Sequence, residues 1–98
     1  LRLAAPGWEA LVLVKPQFEA GRDEAARGGG VIRDREVQAR VLREIAAATR
    51  GWNAEVAGVV DSGLPGPKGN REFFLHLRHK ESPTLPHELE GWIDDATR

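Results

Sequence analysis

The sequence predicts an α/β fold that forms the C-terminal half of a larger sheet domain. Three stretches suited to strands, at 10–14, 54–60 and 73–77, alternate with helical patterns, and the longest helix lies between the first two. A strand, a helix and a second strand in that order are typical of an α/β layer. Three strands and one long helix are too few to close such a domain, because a central strand needs neighbours on both edges and helices on both faces.

The first strand carries the strongest signal. Its apolar run at 10–14 has no polar alternation and is followed by Lys15 and Pro16. An unbroken apolar run of this length favours a strand covered on both faces, as in a parallel sheet. Pro16 restricts Lys15 to extended backbone and lacks the N–H that would continue pairing. We therefore expect a buried central strand with a lysine at its carboxyl end.

Two helices follow from capping residues and apolar spacing. The longer one is predicted between Asp34, a suitable N-cap, and Gly51, a suitable stop. A shorter amphipathic helix is predicted in the tail, beginning near Pro86. The residues of its apolar face, at helical spacing, are Leu89, Trp92, Ile93 and Ala96. We expect residues 1–80 to belong to the sheet domain and residues 81–98 to form a tail with this helix.

Composition excludes several classes of function. The chain has 98 residues, no cysteine, 14 basic and 15 acidic residues, and a net charge of −1. It therefore has no disulfide framework or thiolate zinc site, and no whole-surface positive potential for nucleic acid. The longest apolar run is far shorter than the about 20 residues of a membrane-spanning helix. Contact with RNA must come from a local patch or from another part of the protein.

Two polar residues stand where strands end or begin. Lys15 follows the first strand, and ligands of open α/β sheets bind outside the carboxyl ends of the strands. Glu72 stands at the start of the third strand, so it reaches the same edge if that strand is antiparallel. A lysine oriented by a carboxylate can accept a proton from a hydroxyl or stabilise an alkoxide. The alternative is that both are ordinary surface charges, and spacing alone favours that alternative.

Three segments in order resemble a known family. They are LVLVKPQFEAGR, GGGVIRD before a helix, and LPGPKGNREFFLHLR, and together they span most of the chain up to Arg78. They are similar to the TlyA, or hemolysin A, family of rRNA methyltransferases, whose catalytic domain is of the FtsJ type. The resemblance implies a Rossmann-like sheet with an antiparallel last strand. It also implies a cytoplasmic enzyme that transfers a methyl group from S-adenosylmethionine to ribose 2′-hydroxyls of ribosomal RNA or ribosomal subunits.

The resemblance implies roles for particular residues. By motif position, Lys15 and Glu72 match the third and fourth members of the family's Lys-Asp-Lys-Glu tetrad, with Lys15 activating the hydroxyl and Glu72 orienting it. The other two members and the glycine-rich cofactor loop would lie upstream, so we expect no cofactor-binding residue in this chain. Flanking residues expected on the substrate side are Gln17, Phe18, Asn70 and Arg71.

The remaining candidates are weaker. His76 and His79 point to opposite faces of a strand, so no metal site is expected. Arginines near the first loop are candidates for phosphate contacts or for a solvated surface: Arg22, Arg27, Arg33 and Arg35. A degenerate domain that binds RNA or a protein without catalysis is the alternative function, and nothing in the sequence supports membrane lysis. Exposed apolar strand edges lead us to expect self-association of the isolated chain.

Overall fold

The computed structural model describes residues 7–19, 29–64 and 66–98, which form an α/β fold with a three-stranded sheet. The strands are β1 (Glu9–Val14), β2 (Ala54–Asp61) and β3 (Phe73–His79). The helices are α1 (Pro16–Glu19), α2 (Arg35–Ala48) and α3 (Leu89–Thr97), with 3₁₀ turns at Thr49–Trp52 and Pro67–Gly69. The predicted fold class, the three strands and the two longer helices are confirmed.

The last strand lies in the middle of this sheet. The order is β1-β3-β2, and β3 is antiparallel to both neighbours, so that β1 and β2 run in the same direction. Phe73, the first residue of β3, lies opposite Val14 of β1 and Asp61 of β2. The antiparallel last strand implied by the family resemblance is therefore confirmed. As a result, the carboxyl ends of β1 and β2 flank the start of β3.

Strand β1 differs from the prediction of a central strand covered on both faces. It forms an edge of the described sheet, and its side chains alternate between the two faces. Val14 is 1% exposed, whereas Leu11 is 66% exposed and Leu13 is 43% exposed. The described helices cover one face only, so an apolar residue that points to the other face meets solvent. The central position belongs instead to β3.

The core lies between the sheet and the two longer helices. Leu42 of α2 and Leu75 and Leu77 of β3 are completely buried in it. Helix α3 packs against β2 and α2, and its Leu89 and Ile93 join the same core, which confirms the predicted amphipathic helix. The division between residues 1–80 and 81–98 stays a prediction. Across the described ranges, every helix is too short or too polar to pass through a lipid bilayer.

Helix α2 begins as predicted but ends differently. The side chain of Asp34 accepts a hydrogen bond of 2.8 Å from the N–H of Glu36, as an N-cap should. The α-helix ends at Ala48 and tightens into a 3₁₀ turn, and the chain reverses at Asn53, whose φ is 52°. The predicted stop at Gly51 is therefore wrong, because asparagine supplies the left-handed residue. Strand β2 starts directly after it.

The uncovered side of the sheet, which we call the open face, is largely apolar. It carries Leu11 and Leu13 of β1, Val60 of β2, which is 56% exposed, and Phe74 and His76 of β3. The side chain of His76 lies 2.8 Å from the Glu9 carboxylate at one end of this face. A contiguous apolar surface of this kind is typical of a contact site.

The isolated chain is expected to self-associate through the open face. Sedimentation velocity should show a weight-average mass that rises with micromolar protein concentration, because burying the leucines removes apolar surface from water. Leu11→Lys, which places a charge in that surface, should return the chain to a monomer. The matched control is Leu85→Lys, which changes an exposed leucine outside the sheet and should leave association unchanged. A wild-type chain that stays monomeric over that range would contradict the expectation.

Candidate active site

Lys15 is fixed by the junction of β1 and α1. Its carbonyl accepts hydrogen bonds from the N–H groups of Phe18 at 2.9 Å and Glu19 at 3.1 Å, which closes the short helical turn. Pro16 occupies the first position of that turn, where its missing N–H leaves no bond unmade. The backbone of Lys15 is therefore held at the sheet edge, and its side chain is half-buried.

Glu72 is placed at the same edge by the neighbouring strand. It directly precedes β3, and its carbonyl accepts a hydrogen bond of 2.8 Å from the N–H of Ser62. Val14 and Phe73 lie opposite each other, so the next residues outward on the two strands are Lys15 and Glu72. The antiparallel direction of β3 therefore brings the two sequence-predicted residues to one edge. Glu72 is only 9% exposed.

The Glu72 carboxylate is enclosed by an amide and by a glycine. Its Oε2 accepts a hydrogen bond of 3.3 Å from Nε2 of Gln17, whose side chain is itself 8% exposed. On another side lies Gly66, where a Cβ atom would come within 2.7 Å of the Glu72 carboxyl carbon. Glycine is thus required at position 66 if the carboxylate is to keep its place. The N–H of Gly66 donates to the carbonyl of Asn70 at 2.7 Å, which fixes this wall.

The ammonium group of Lys15 lies apart from this carboxylate. Its Nζ is 5.8 Å from the centroid of the Phe18 ring, and Phe18 is 71% exposed. Across residues 7–19 and 66–98, no ion pair or hydrogen bond joins Lys15 to Glu72. The contact with the ring is a weak cation–π interaction. The ammonium is therefore available to a third group that enters at the sheet edge beside Phe18.

Asn70 joins two loops. It is 2% exposed, its Nδ2 donates to the carbonyl of Gly30 at 2.9 Å, and its Oδ1 accepts from the N–H of Ile32 at 3.0 Å. The Nζ of Lys68 adds a bond of 3.1 Å to the carbonyl of Gly29. Both ends of the Asn70 amide therefore hold backbone, which keeps the loop before β3 in place. A direct contact of Asn70 with substrate stays a prediction.

Arg71 ties the end of α3 to the strand ends. Its guanidinium donates to the carbonyls of Ala96 at 2.6 Å and Thr97 at 2.9 Å, and to Oδ2 of Asp61 at 2.7 Å. These carbonyls belong to the last turn of α3, where a cation is favourable. Burial raises the pKa of Asp61, but hydrogen bonds from the Gly63 N–H and the Arg71 guanidinium outweigh it and hold the pKa below its ordinary value. A substrate contact by Arg71 stays a prediction.

Of the four arginines near the first loop, Arg33 and Arg35 belong to the described residues, whereas Arg22 and Arg27 lie outside them. Arg35 donates to Oγ1 of Thr97 at 3.1 Å and forms an ion pair with Asp94, so it connects α2 to α3.

Sequence reasoning missed the contact of Gly66 with the Glu72 carboxylate. The glycine and proline residues around that position are typical of a turn, and the closeness of Gly66 to Glu72 appears only in the folded loop.

Lys15 and the buried Glu72 lie at the same edge of an α/β sheet whose central strand is antiparallel to its neighbours. A family model for FtsJ-like methyltransferases matches residues 2–79. The chain therefore belongs to the FtsJ-like methyltransferase family. Among curated proteins it is 47% identical over 75 residues to the 16S/23S rRNA (cytidine-2′-O)-methyltransferase TlyA of Mycobacterium tuberculosis. It is also 38% identical over 90 residues to YqxC of Bacillus subtilis, which is provisionally assigned as an rRNA methyltransferase.

These matches cover most of this chain but a minor part of the relatives. They take in 74% of the chain and 27% of TlyA, and 88% of the chain and 32% of YqxC. A solved structure from Streptococcus thermophilus, provisionally assigned as a hemolysin, superposes with a TM-score of 0.81 at 33% identity. That superposition covers 94% of this chain and 34% of the other. The resemblance to the TlyA and hemolysin A proteins is confirmed, and the chain spans about a third of the length of these relatives.

Proposed function

We propose that this chain is the C-terminal part of an S-adenosylmethionine-dependent methyltransferase that modifies ribose 2′-hydroxyls of ribosomal RNA. The observation that carries the proposal is the meeting of Lys15 and Glu72 at one sheet edge. The family match and the names of the relatives support the reaction class. Residues 1–80 would belong to the catalytic domain and residues 81–98 would form its tail.

In this proposal Lys15 acts on the attacking hydroxyl. Its neutral amine would accept the proton of the ribose hydroxyl, and the ammonium group so formed would stabilise the negative charge on the attacking oxygen. Glu72 would orient the lysine from the neighbouring strand. Phe18 and Gln17 flank Lys15 on the turn that follows β1, and Asn70 and Arg71 flank Glu72 before β3. Positioning the hydroxyl for in-line attack adds to the effect of proton transfer.

In this proposal the cofactor is held mainly by a glycine-rich loop outside this chain. Strand β1 is followed by Lys15-Pro16-Gln17 rather than by glycines, and Gly30 belongs to a loop that leads into α2. The backbone of Gly30 is instead packed against the side chain of Lys68. We therefore place most of the S-adenosylmethionine site upstream of this chain. When bound there, the cofactor would supply the methyl group.

The same proposal implies which partners the protein binds. The partners would be ribosomal RNA or ribosomal subunits, and the protein would act in the cytoplasm. The chain itself has a net charge of −1, so most of the electrostatic attraction to RNA would have to come from other parts of the protein. The open face would be covered by those parts, and the isolated chain would be inactive.

The test uses a protein of the relatives' full length that contains this chain. It is incubated with methyl-labelled S-adenosylmethionine and ribosomal subunits, and the RNA is digested to nucleosides. The expected result is label in a ribose 2′-O-methylated nucleoside. Label on a base would overturn the ribose assignment. RNA binding without any transfer would favour the alternative, a methyltransferase-like module that binds RNA or protein without catalysis.

A further inference from the structure

We propose that helix α3 takes part in positioning the candidate site, because Arg71 ties the last turn of this helix to the strand ends beside Glu72. Arg71 is then a positioning residue that acts through the Glu72 carboxylate. This inference rests on the proposed function, in which Glu72 orients Lys15. It gives the predicted tail a role in catalysis, and it does not require Arg71 to touch RNA.

All three nitrogens of the Arg71 guanidinium donate hydrogen bonds within the protein. Nε and Nη2 donate to Oδ2 of Asp61 at 2.9 and 2.7 Å. Nη1 donates to the carbonyl of Thr97 at 2.9 Å, and Nη2 donates also to the carbonyl of Ala96 at 2.6 Å. The planar guanidinium fixes the directions of these bonds. Its donors are therefore directed to β2 and α3, which leaves little capacity for a phosphate.

The end of α3 depends on these donors. The last carbonyls of an α-helix have no partner within the helix, and a cation near them is favoured by the helix dipole. Ala96 and Thr97 are both buried, so a donor from the protein takes the place that water fills at an exposed helix end. The docked helix therefore holds the Arg71 side chain in a single position.

The position of Arg71 is passed on to Glu72 through the backbone. Arg71 is the residue directly before Glu72, and its side chain is bonded to Asp61, the last residue of β2. The carbonyl of Glu72 accepts a hydrogen bond of 2.8 Å from the N–H of Ser62, the next residue after Asp61. Two successive residues before β3 are thus bonded to two successive residues at the end of β2. Together these bonds fix the point from which the Glu72 side chain leaves the chain.

Loss of the guanidinium should release this segment. Without it, the residues before β3 lose their tie to α3 and the ion pair with Asp61. The Glu72 carboxylate would then shift relative to Lys15, and a displacement of about 1 Å at a catalytic group can reduce a rate about 100-fold. The chemical step would slow, whereas the affinity for RNA would be unchanged.

The variants that test this inference are Arg71→Met and Arg71→Lys in the full-length protein. Both should lower kcat about 10- to 100-fold with KM for RNA unchanged. Lysine keeps the charge, which would suffice for a phosphate contact, but it cannot reproduce the directions of the guanidinium bonds. Wild-type kcat in Arg71→Lys would overturn the inference. A higher KM for RNA with unchanged kcat in Arg71→Met would also overturn it and would indicate an RNA contact.

The matched control is Arg43→Met. Arg43 also links α3 to the rest of the fold, since its Nε lies 2.9 and 2.8 Å from the two carboxylate oxygens of Glu90. Glu90 belongs to the first turn of α3, at the other end of the helix from the carbonyls that Arg71 binds. Arg43→Met should therefore keep its kcat, even if its melting temperature falls.

A double-mutant cycle and hydrogen exchange separate positioning from a merely structural role. In a Glu72→Gln background, Arg71→Met should have little further effect on kcat, and full additivity would overturn the inference. Exchange of the Ser62 amide should be faster in Arg71→Met than in the wild type or in Arg43→Met, and an unchanged rate would overturn the inference too. A wild-type protein without any methyl transfer would instead overturn the proposed function. The exchange rate would then still decide whether Arg71 holds Glu72 in place.

Discussion

Replacing Lys15 by alanine should reduce methyl transfer by about 10³-fold or more while the protein stays folded. General base catalysis contributes about 10²- to 10⁴-fold, and the same side chain is proposed to stabilise the developing alkoxide. The Lys15 side chain lies at the sheet edge and is not part of the hydrophobic core, so the melting temperature should change little. Single-turnover transfer of labelled methyl groups to ribosomal RNA measures the effect directly.

Two further variants make the Lys15 experiment specific. Lys15→Arg keeps the positive charge but cannot lose a proton near neutral pH, so it should be nearly as inactive as Lys15→Ala if the lysine acts as a base. Substantial activity in Lys15→Arg would mean that charge alone is needed. Lys80→Ala, the control, removes an exposed lysine at the opposite end of β3 and should transfer methyl groups normally. Normal transfer by Lys15→Ala would remove Lys15 from the proposed site.

Gly66→Ala should lower kcat by about 10²-fold, although it adds only one methyl group. The new Cβ would overlap the Glu72 carboxyl group, so the carboxylate must leave its place beside Gln17. A displacement of about 1 Å in a catalytic group is enough for a loss of this size. The measurement is steady-state methyl transfer by the full-length protein, with circular dichroism to verify the fold.

Two control experiments test whether the loss of kcat in Gly66→Ala comes from displacement of the Glu72 carboxylate. At Gly51 a Cβ would meet no heavy atom within 4 Å, so Gly51→Ala should leave kcat unchanged. In a Glu72→Asp background the shorter side chain relieves the overlap, and Gly66→Ala should then cost much less than it does alone. An equal loss in both backgrounds would show that the new methyl group acts elsewhere than on the carboxylate.

The fold was predictable from the sequence to the extent that it depends on local signals. Asp34 caps α2 because its carboxylate can accept a backbone N–H, which is a property of neighbouring residues alone. In the described sheet β1 is an edge strand and not the central strand that the sequence predicts for the larger domain, because an apolar run indicates a strand but contains no information on which strands flank it. The end of α2 was also misplaced, since Asn53 can adopt the left-handed conformation as glycine does.

The candidate site likewise has some features that local signals predict and others that depend on tertiary contacts. Lys15 and Glu72 were predicted because each borders a strand and matches a family motif, and their meeting at one sheet edge depends on the direction of β3. The contact between Gln17 and Glu72 joins residues 55 positions apart. Gly66 likewise packs against Glu72 through the fold of a loop rather than through a pattern along the chain. Tertiary contacts of this kind leave no periodic trace in a single sequence.

The placement of β3 between β1 and β2 also determines the order in which these strands can pair during synthesis. In the described part of the sheet, β1 pairs with β3 alone, although helix α2 and strand β2 lie between these two strands along the chain. During synthesis β1 emerges before β3, so the pairing of these two strands must overcome the entropy of closing a long loop. Glu72 reaches the sheet edge next to Lys15 only when β3 has entered the sheet, so a nascent chain stopped before that strand lacks the candidate site.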